Sequence, residues 1–207
     1  GMEKGDAFFD KKSRRITKKV AKLMNAIPRV TVGCPAPSFK EPGYLNGKFV
    51  TVDSETYKGK YLILVFYCKD FSYVCPTELI ALNEALPMFK ELNAEVVGVS
   101  VDGLAVHQAF CQNAPKDLGV GNLQFPLVAD TKKSVSACFG LLASEGFSDR
   151  ATVIVDDAGV VQYIHVHGSM VGRSVEEILR ELKAIQTTKT QKCFCPADWL
   201  PGMKTLD

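Results

Sequence analysis

Apolar positions recur along this chain in two patterns, one typical of buried strands and one typical of amphipathic helices. A nearly unbroken apolar run over residues 61–67 predicts a strand buried on both faces, and a β-branched run over 95–101 predicts another. Further strands are predicted over 49–52, 151–155 and 160–166, and helices over 76–92, 104–113, 134–139 and 175–185. This order predicts an α/β domain with a central mixed sheet and helices on both faces.

Local signals mark where several of these helices begin or break. Pro76 suits a first helical turn, because its φ is preset and its missing N–H would be unpaired there in any case. Pro87 predicts a kink or break inside the helix over 76–92. We expect Ser100 or Asp102 to cap the helix over 104–113 and Ser174 to cap the last helix.

Composition divides the chain into three segments. Residues 1–29 are polar and basic, and we expect a mobile or partly helical extension, with a targeting presequence or a basic arm for membranes or nucleic acid as weaker alternatives. Residues 30–188 form one domain, and residues 189–207 form a C-terminal tail. The net charge of +2 gives no general case for nucleic acid binding, and no apolar run reaches the length of a membrane span.

The chain has seven cysteines at irregular spacing, which argues against a secreted disulfide framework. We therefore expect a reducing compartment and a cytoplasmic protein, with organelle targeting by the basic N-terminus as the alternative. Cys111 and Cys138 fall in predicted helices and are expected in the core. His165 and His167 share one face of a strand, as metal ligands do, but the chain has no Cys-x-x-Cys pair. We expect core or interface histidines and neither a metal nor a cofactor.

Cys75 stands at the switch from the central predicted strand to the helix that Pro76 begins. Unpaired N–H groups and the macrodipole at a helix N-terminus favour an anion, and a thiolate is such an anion. The pKa of Cys75 is then expected to lie below the free value of about 8.5. From these residues alone, a reactive thiol and a buried inert thiol remain equally good interpretations.

The residues around Cys75 resemble the peroxidatic loop of the typical 2-Cys peroxiredoxins. That family carries a phrase close to Phe-Tyr-Pro-x-Asp-Phe-Thr-Phe-Val-Cys-Pro-Thr-Glu, and this chain reads Phe66-Tyr67-Cys68-Lys69-Asp70-Phe71-Ser72-Tyr73-Val74-Cys75-Pro76-Thr77-Glu78. Cys68 departs from the pattern, because the family has Pro there to shape the pocket and shield the cysteine. The resemblance covers about residues 30–202, from Val32-Gly33-Cys34-Pro35-Ala36-Pro37-Ser38-Phe39 to Cys195-Pro196-Ala197-Asp198-Trp199-Leu200-Pro201-Gly202.

The resemblance implies a thioredoxin-like fold with an extended C-terminal tail and a thiol peroxidase that reduces hydrogen peroxide and small organic hydroperoxides. Cys75 is then the peroxidatic cysteine, and Cys195 of the partner subunit is the resolving cysteine that forms an intersubunit disulfide with it. Cys193 is an addition to the family pattern, and it is an alternate resolver, half of a pair with Cys195, or inert. The resemblance implies that Arg150 contacts the reactive sulfur; the hydroxyl of Ser72 is suited to hydrogen-bond the peroxide.

The same resemblance assigns Glu78 and Arg173 to orienting Arg150. Without the resemblance, Arg150 is an ordinary exposed charge at a strand end, Ser72 is a helix cap, and Glu78 and Arg173 are solvated surface charges.

The partners implied by the resemblance are a second copy of the chain, in a homodimer or a ring of dimers such as a decamer, and thioredoxin or a similar dithiol reductant. Neither nucleic acid nor stable membrane association is expected. Two alternatives remain at this stage. One is a peroxiredoxin-like redox relay or holdase chaperone with weak peroxidase activity, and the other is a structural thioredoxin-like binding module.

Overall fold

The computed structural model describes residues 30–207 together with Arg15 and Lys18, so most of the predicted N-terminal extension lies outside the described residues. The described residues form one sheet from β1 (Lys40–Leu45), β2 (Lys48–Asp53), β3 (Tyr61–Phe66), β4 (Ala94–Ser100), β5 (Leu127–Ala129), β6 (Arg150–Val155) and β7 (Val161–His167). The helices are α1 (Cys75–Glu84), α2 (Leu86–Glu91), α3 (Leu104–Gln112), α4 (Ser134–Cys138) and α5 (Val175–Gln191), with 3₁₀ turns at Ser54–Tyr57 and Pro115–Asp117.

Strand β3 lies inside the sheet, whose strand order is β2-β1-β5-β4-β3-β6-β7. It pairs in parallel with β4 and antiparallel with β6, so the sheet is mixed. Every residue of β3 is buried, which explains why its sequence is continuously apolar instead of alternating with polar residues. The predicted α/β architecture around this strand is confirmed.

The side chains of β3 alternate between two apolar clusters, one on each face of the sheet. Ile63 and Val65 join a cluster that also contains Leu79 of α1 and Leu182 of α5. The neighbouring β3 residues Leu62, Leu64 and Phe66 join a second cluster with Val135 of α4. Burying one such side chain contributes about 2 kcal/mol. The two clusters hold β3 firmly, and β3 positions the loop that follows it.

Strand β1 was missed by the sequence analysis, because Pro42 and Gly43 both disfavour strand interiors. The structure explains the glycine. A Cβ at Gly43 would come within 2.7 Å of Val52 Cγ2 and 2.9 Å of the Leu127 carbonyl oxygen. Glycine therefore allows β1 to fit between β2 and β5, with which it pairs on its two edges.

Several helix ends agree with the sequence analysis, and one does not. The break predicted at Pro87 is confirmed, because α1 ends at Glu84 and α2 begins at Leu86. Ser174 caps α5, where its side chain accepts a hydrogen bond from the Glu177 N–H. Helix α5 continues to Gln191, three residues beyond the predicted end of the domain at residue 188. In the part of the chain that the structure describes, no helix combines the length and apolar character required to cross a bilayer.

The predicted cap of α3 is wrong. Gly103 is the N-cap residue and no side chain caps this helix. Asp102 Oδ2 instead accepts hydrogen bonds from the Ser100 hydroxyl (2.7 Å) and from the backbone N–H of Asp70 (2.9 Å). Asp102 therefore ties the end of β4 to the loop between β3 and α1.

A series of buried hydrogen bonds through Asp70 and His107 also fixes the loop between β3 and α1. Asp70 accepts a hydrogen bond from the Tyr67 hydroxyl (2.8 Å) and faces His107 Nδ1 at 2.7 Å, while His107 Nε2 donates to the Val128 carbonyl (3.0 Å). Since Nε2 faces a carbonyl and must carry a proton, the contact between Nδ1 and Asp70 requires one further proton. That proton belongs to an imidazolium beside a carboxylate or to a carboxylic acid beside a neutral imidazole.

The shifts of the two pKa values favour different protonation arrangements of this pair. Burial lowers the pKa of His107, but the hydrogen bond and charge of Asp70 outweigh it and leave the pKa raised. Burial also raises the pKa of Asp70, against the hydrogen bond from His107. The first shift favours the ion pair and the second favours the neutral pair. Both the ion pair and the neutral pair keep one proton between His107 Nδ1 and Asp70. The hydrogen-bond geometry therefore supports retention of this proton at neutral pH.

We predict that this pair makes stability depend on pH. A raised pKa of His107 in the folded state means that its stabilisation is complete below the ordinary value of about 6.5 and is lost as pH rises through the folded value. The free energy of unfolding by urea, measured from pH 6 to pH 9, should therefore fall with rising pH. A His107→Gln variant should lack the part of this fall that His107 causes. Parallel pH profiles of the free energy of unfolding for the two proteins would contradict the prediction.

Candidate active site

Cys75 is the first residue of α1, as the sequence predicted, and its side chain is fully buried. The N-cap residue Val74 provides no side-chain hydrogen bond, and Pro76 lies in the first turn. Since side chains do not occupy the N-terminal end of α1, its dipole remains available to the Cys75 sulfur. Arg150 Nη1 lies 3.4 Å from that sulfur and donates to it.

The pKa of Cys75 is lowered to about 5, so the residue is a thiolate at neutral pH. The largest cause is the nearby Cys68 thiol. The Ser72 hydroxyl, the backbone N–H of Lys69 and the charge of Arg150 also lower the pKa, and burial opposes them. Cys68 therefore does more for ionisation than the sequence indicated, where it stood only as a departure from the family pattern.

Arg150 begins β6 and is buried, so its interpretation as an exposed charge at a strand end is wrong. Its Nη1 also donates to Glu78 Oε2, and its Nη2 donates to the Ser169 carbonyl and lies 3.7 Å from Cys68 Sγ. Burial lowers the pKa of Arg150, but the nearby Cys75 and Glu78 charges outweigh it and leave the pKa raised. The guanidinium therefore remains charged beside the sulfur.

Glu78 connects the two arginines of the site. It is 3% exposed, so it is not a solvated surface charge. Its Oε1 accepts hydrogen bonds from the backbone N–H (2.8 Å) and the Nε (3.1 Å) of Arg173. Arg173 in turn donates to the carbonyls of Ala151 (2.8 Å) and Phe66 (2.7 Å), which lie on β6 and β3. Hydrogen bonds thus fix Arg173 to the sheet, Glu78 to Arg173, and Arg150 to Glu78.

Ser72 does not cap α1, although capping was one interpretation of its sequence position. Its Oγ is buried and has no hydrogen-bond partner among the described residues, and the same is true of Arg150 Nε. The hydroxyl is close enough to lower the pKa of Cys75 without meeting the geometry of a hydrogen bond to it. Unpaired buried polar atoms carry a free-energy cost, which a bound polar ligand would remove.

A cavity of about 320 Å³ opens beside these two atoms. Its wall contains Ser72, Arg150 and Phe147, and the strongly exposed side chains of Tyr73 and Met170 lie at its entrance. The cavity is mainly apolar, and its lining includes the polar side chains of Cys68, Ser72 and Arg150. Cys75 is fully buried behind this wall, so a small molecule in the cavity meets the Arg150 guanidinium that contacts the Cys75 sulfur.

Comparison with known proteins agrees with this geometry. A profile of the AhpC/TSA family matches residues 32–164, which is more than half of the chain. The chain belongs to the AhpC/TSA family of peroxiredoxins. The Drosophila melanogaster mitochondrial thioredoxin-dependent peroxide reductase is 43% identical over 174 residues, covering 84% of this chain and 74% of that protein.

Solved structures give the same result for the fold. The reduced 2-Cys peroxiredoxin of Plasmodium vivax has a TM-score of 0.82 and 39% identity, covering 84% of this chain and 91% of that one. Plasmodium yoelii Prx1a has a TM-score of 0.73 and 40% identity, covering 80% and 96% respectively, and when modified at its N-terminus it forms an artifactual octamer. The thioredoxin-like fold is confirmed, and this peroxiredoxin is a thiol peroxidase.

The C-terminal tail of this peroxiredoxin packs against its own domain. Phe194 and Leu206 pair through two backbone hydrogen bonds of 2.8 Å, and Arg180 of α5 donates to the Trp199 carbonyl (3.1 Å). Cys193 is buried, whereas Cys195 is partly exposed with its Sγ 3.9 Å from the Ala184 carbonyl. All seven cysteines are free thiols in this structure. The contact between Arg180 and Trp199 thus holds the tail against α5.

The structure also places the cysteines and histidines that lie outside the site and the tail. Cys111 is buried as predicted, and burial raises its pKa to about 12. The prediction that Cys138 lies in the core is wrong, because its side chain is exposed. Val135 and Ser136 form the buried face of the short helix α4 instead. The rings of His165 and His167 lie 4.8 Å apart, and His165 is exposed. Within residues 30–207, no group of His, Cys, Asp and Glu is arranged to hold a metal ion.

Proposed function

We propose that Cys75 is the peroxidatic residue of this thiol peroxidase. The thiolate attacks the nearer oxygen of hydrogen peroxide or a small organic hydroperoxide, the O–O bond breaks, and Cys75 becomes a sulfenic acid. The departing oxygen takes up a proton and leaves as water or an alcohol. The observation that carries the proposal is the buried Cys75 sulfur, whose pKa is about 5, at 3.4 Å from Arg150 Nη1.

The other site residues are proposed to act on the peroxide and on Arg150. The unpaired Ser72 Oγ and Arg150 Nε are placed to hydrogen-bond the peroxide oxygens, so the developing negative charge meets preorganised donors. Glu78 and Arg173 position Arg150 through the buried contacts described above. Neither of them has to touch the substrate for this role.

Cys195 of a partner subunit is proposed to resolve the sulfenic acid by forming an intersubunit disulfide, with Cys193 as the alternate resolver. A homodimer is supported by the edge strand β7, since only one of its edges is paired within the chain. Exposed apolar side chains, namely Val166, Met170 and Val171, lie on β7 and just after it. Edge strands with exposed apolar side chains are suited to pairing with a second copy. A ring of such dimers, such as a decamer, extends the same proposal.

Recycling is proposed to use thioredoxin or a similar dithiol protein, which returns the disulfide to two thiols by exchange. The name of the Drosophila relative supports this choice of reductant.

We also propose that the chain divides into an N-terminal extension (1–29), a peroxidase domain (30–188) and a tail (189–207). The proposed location of the protein is the cytoplasm.

The proposal is tested by non-reducing gel electrophoresis after one equivalent of hydrogen peroxide. Wild type should form a disulfide-linked dimer, and Cys75→Ser and Cys195→Ser should not. Cys138→Ser removes an exposed thiol outside the site and is the matched control, which should form the dimer as wild type does.

Two other outcomes are informative. A dimer that persists in Cys195→Ser would transfer the resolving role to Cys193. If Cys75→Ser still consumes peroxide at the wild-type rate, Cys75 is not the peroxidatic residue.

A further inference from the structure

Cys68 is a second thiol inside the active site, at the place where the peroxiredoxin pattern has Pro. It lies just beyond the end of β3 and is buried. Its Sγ is 3.7 Å from Arg150 Nη2, while Cys75 Sγ is 3.4 Å from Arg150 Nη1. The two nitrogens belong to one planar guanidinium, so both sulfurs contact the same group.

We propose that Cys68 is an intrachain resolving cysteine, which attacks the sulfenic acid of Cys75 and closes a Cys68–Cys75 disulfide within one subunit. An S–S bond forms, the S–O bond of Cys75 breaks, and the leaving hydroxide takes up a proton and departs as water. The sulfenic sulfur is reduced as the Cys68 sulfur is oxidised, so no other oxidant is required. This inference rests on the proposed function, since it requires Cys75 sulfenic acid.

The charges at the site restrict the Cys68 reaction to the oxidised enzyme. While Cys75 is a thiolate, its nearby sulfur, the burial of Cys68 and the Cys75 charge all raise the pKa of Cys68, so Cys68 remains a protonated thiol. Conversion of Cys75 to a sulfenic acid removes the thiolate, whereas Arg150 remains and lowers the pKa of Cys68. Cys68 therefore becomes a better nucleophile at the point when its target forms.

Position makes Cys68 a second resolving thiol beside the tail cysteine. Cys195 rests 3.9 Å from the Ala184 carbonyl, and it must leave that place to reach the Cys75 of another subunit. Cys68 already contacts the same guanidinium as Cys75 and is separated from it by only six residues along the chain. A reaction between groups held together in one chain gains from their effective concentration and does not depend on subunit association.

The experiment uses a full-length Cys193→Ser/Cys195→Ser variant, which lacks both tail thiols. The protein is treated with one equivalent of hydrogen peroxide, alkylated and digested with trypsin. Cleavage after Lys69 separates Cys68, in peptide 61–69, from Cys75, in peptide 70–90. The expected product is a disulfide-linked pair of these peptides, with two thiols lost per chain and no disulfide-linked dimer on a gel. A Cys138→Ser change in the same background should leave the product unchanged.

Two results would overturn the inference, and they are distinguishable. If Cys75 is trapped by dimedone as sulfenic acid, or found as sulfinic acid, while Cys68 is alkylated, the Cys68 step fails and the proposed peroxidase function stands. If Cys75 is not oxidised at all, both fail. Adding Cys68→Ser to the tail variant should abolish the linked peptides and increase the sulfinic acid on Cys75 several-fold. An equal amount of sulfinic acid with and without Cys68 would also contradict the inference.

Discussion

Replacing Arg150 by Met is expected to slow the reaction of Cys75 with hydrogen peroxide by about 10²–10³-fold, the usual cost of removing a preorganised donor from developing charge. The buried guanidinium donates to the sulfur at 3.4 Å, and its Nε is buried without a hydrogen-bond partner among the described residues. Met fills a similar volume without charge or donors. The rate is measured as peroxide loss in a single turnover, which excludes the resolving and recycling steps.

The pH dependence separates the two contributions of Arg150. Arg150 is one of the groups that lower the pKa of Cys75 to about 5, so the midpoint for alkylation of Cys75 should rise in Arg150→Met. Arg150→Lys is the matched variant, because it keeps the charge but loses the planar pair of donors that reaches both sulfurs. It should show a smaller rise in the pKa and an intermediate rate. Peroxide reduction in Arg150→Met within threefold of wild type at every pH would exclude the proposed role.

Replacing Glu78 by Gln is expected to lower the free energy of unfolding by about 3–5 kcal/mol, the range found when one partner of a buried ion pair is removed. The Glu78 carboxylate is 3% exposed and bridges Arg150 and Arg173. Neutralising it leaves two buried guanidinium groups close together without a counter-charge. The measurement is unfolding by urea at neutral pH, with circular dichroism as the signal and peroxide reduction as a second readout.

Glu177→Gln provides the matched control for Glu78. Glu177 also pairs with an arginine, Arg180, but this pair lies at the surface and the Glu177 side chain is 41% exposed. Surface pairs contribute about 1 kcal/mol or less, so the control should unfold almost as wild type does. If Glu78→Gln lowers the free energy of unfolding by less than 1 kcal/mol, the charges of the two arginines do not need the Glu78 carboxylate, and the prediction is wrong.

The sequence predicted those parts of the site that depend on local structure. Cys75 could be placed at the start of α1, because an apolar strand and a helix-starting proline flank it in the sequence. Arg150 was assigned only through family resemblance, because its contact with Cys75 joins residues 75 positions apart. A pattern of polar and apolar residues does not show which strand end lies beside which helix.

The supporting hydrogen bonds were missed for the same reason. His107 reaches Asp70 across 37 positions, and Asp102 reaches Asp70 across 32. The sequence signal was present but ambiguous, since Ser100 and Asp102 suited a helix cap equally well. Cys68 was visible as a departure from the family pattern, but only its place beside Arg150 shows that it shares the environment of Cys75.

The tethering of Asp70 determines which part of the loop before α1 is free to move. Asp70 is held by Tyr67, His107 and Asp102, whereas Phe71, the next residue, has a positive φ of 54°. If the first turn of α1 unwinds, residues 67–70 are the part of the loop that these hydrogen bonds keep on the core. Unwinding would then expose Cys75 and leave Cys68 behind with Arg150. Closure of the Cys68–Cys75 disulfide therefore requires the first turn of α1 to stay folded, and unwinding competes with it.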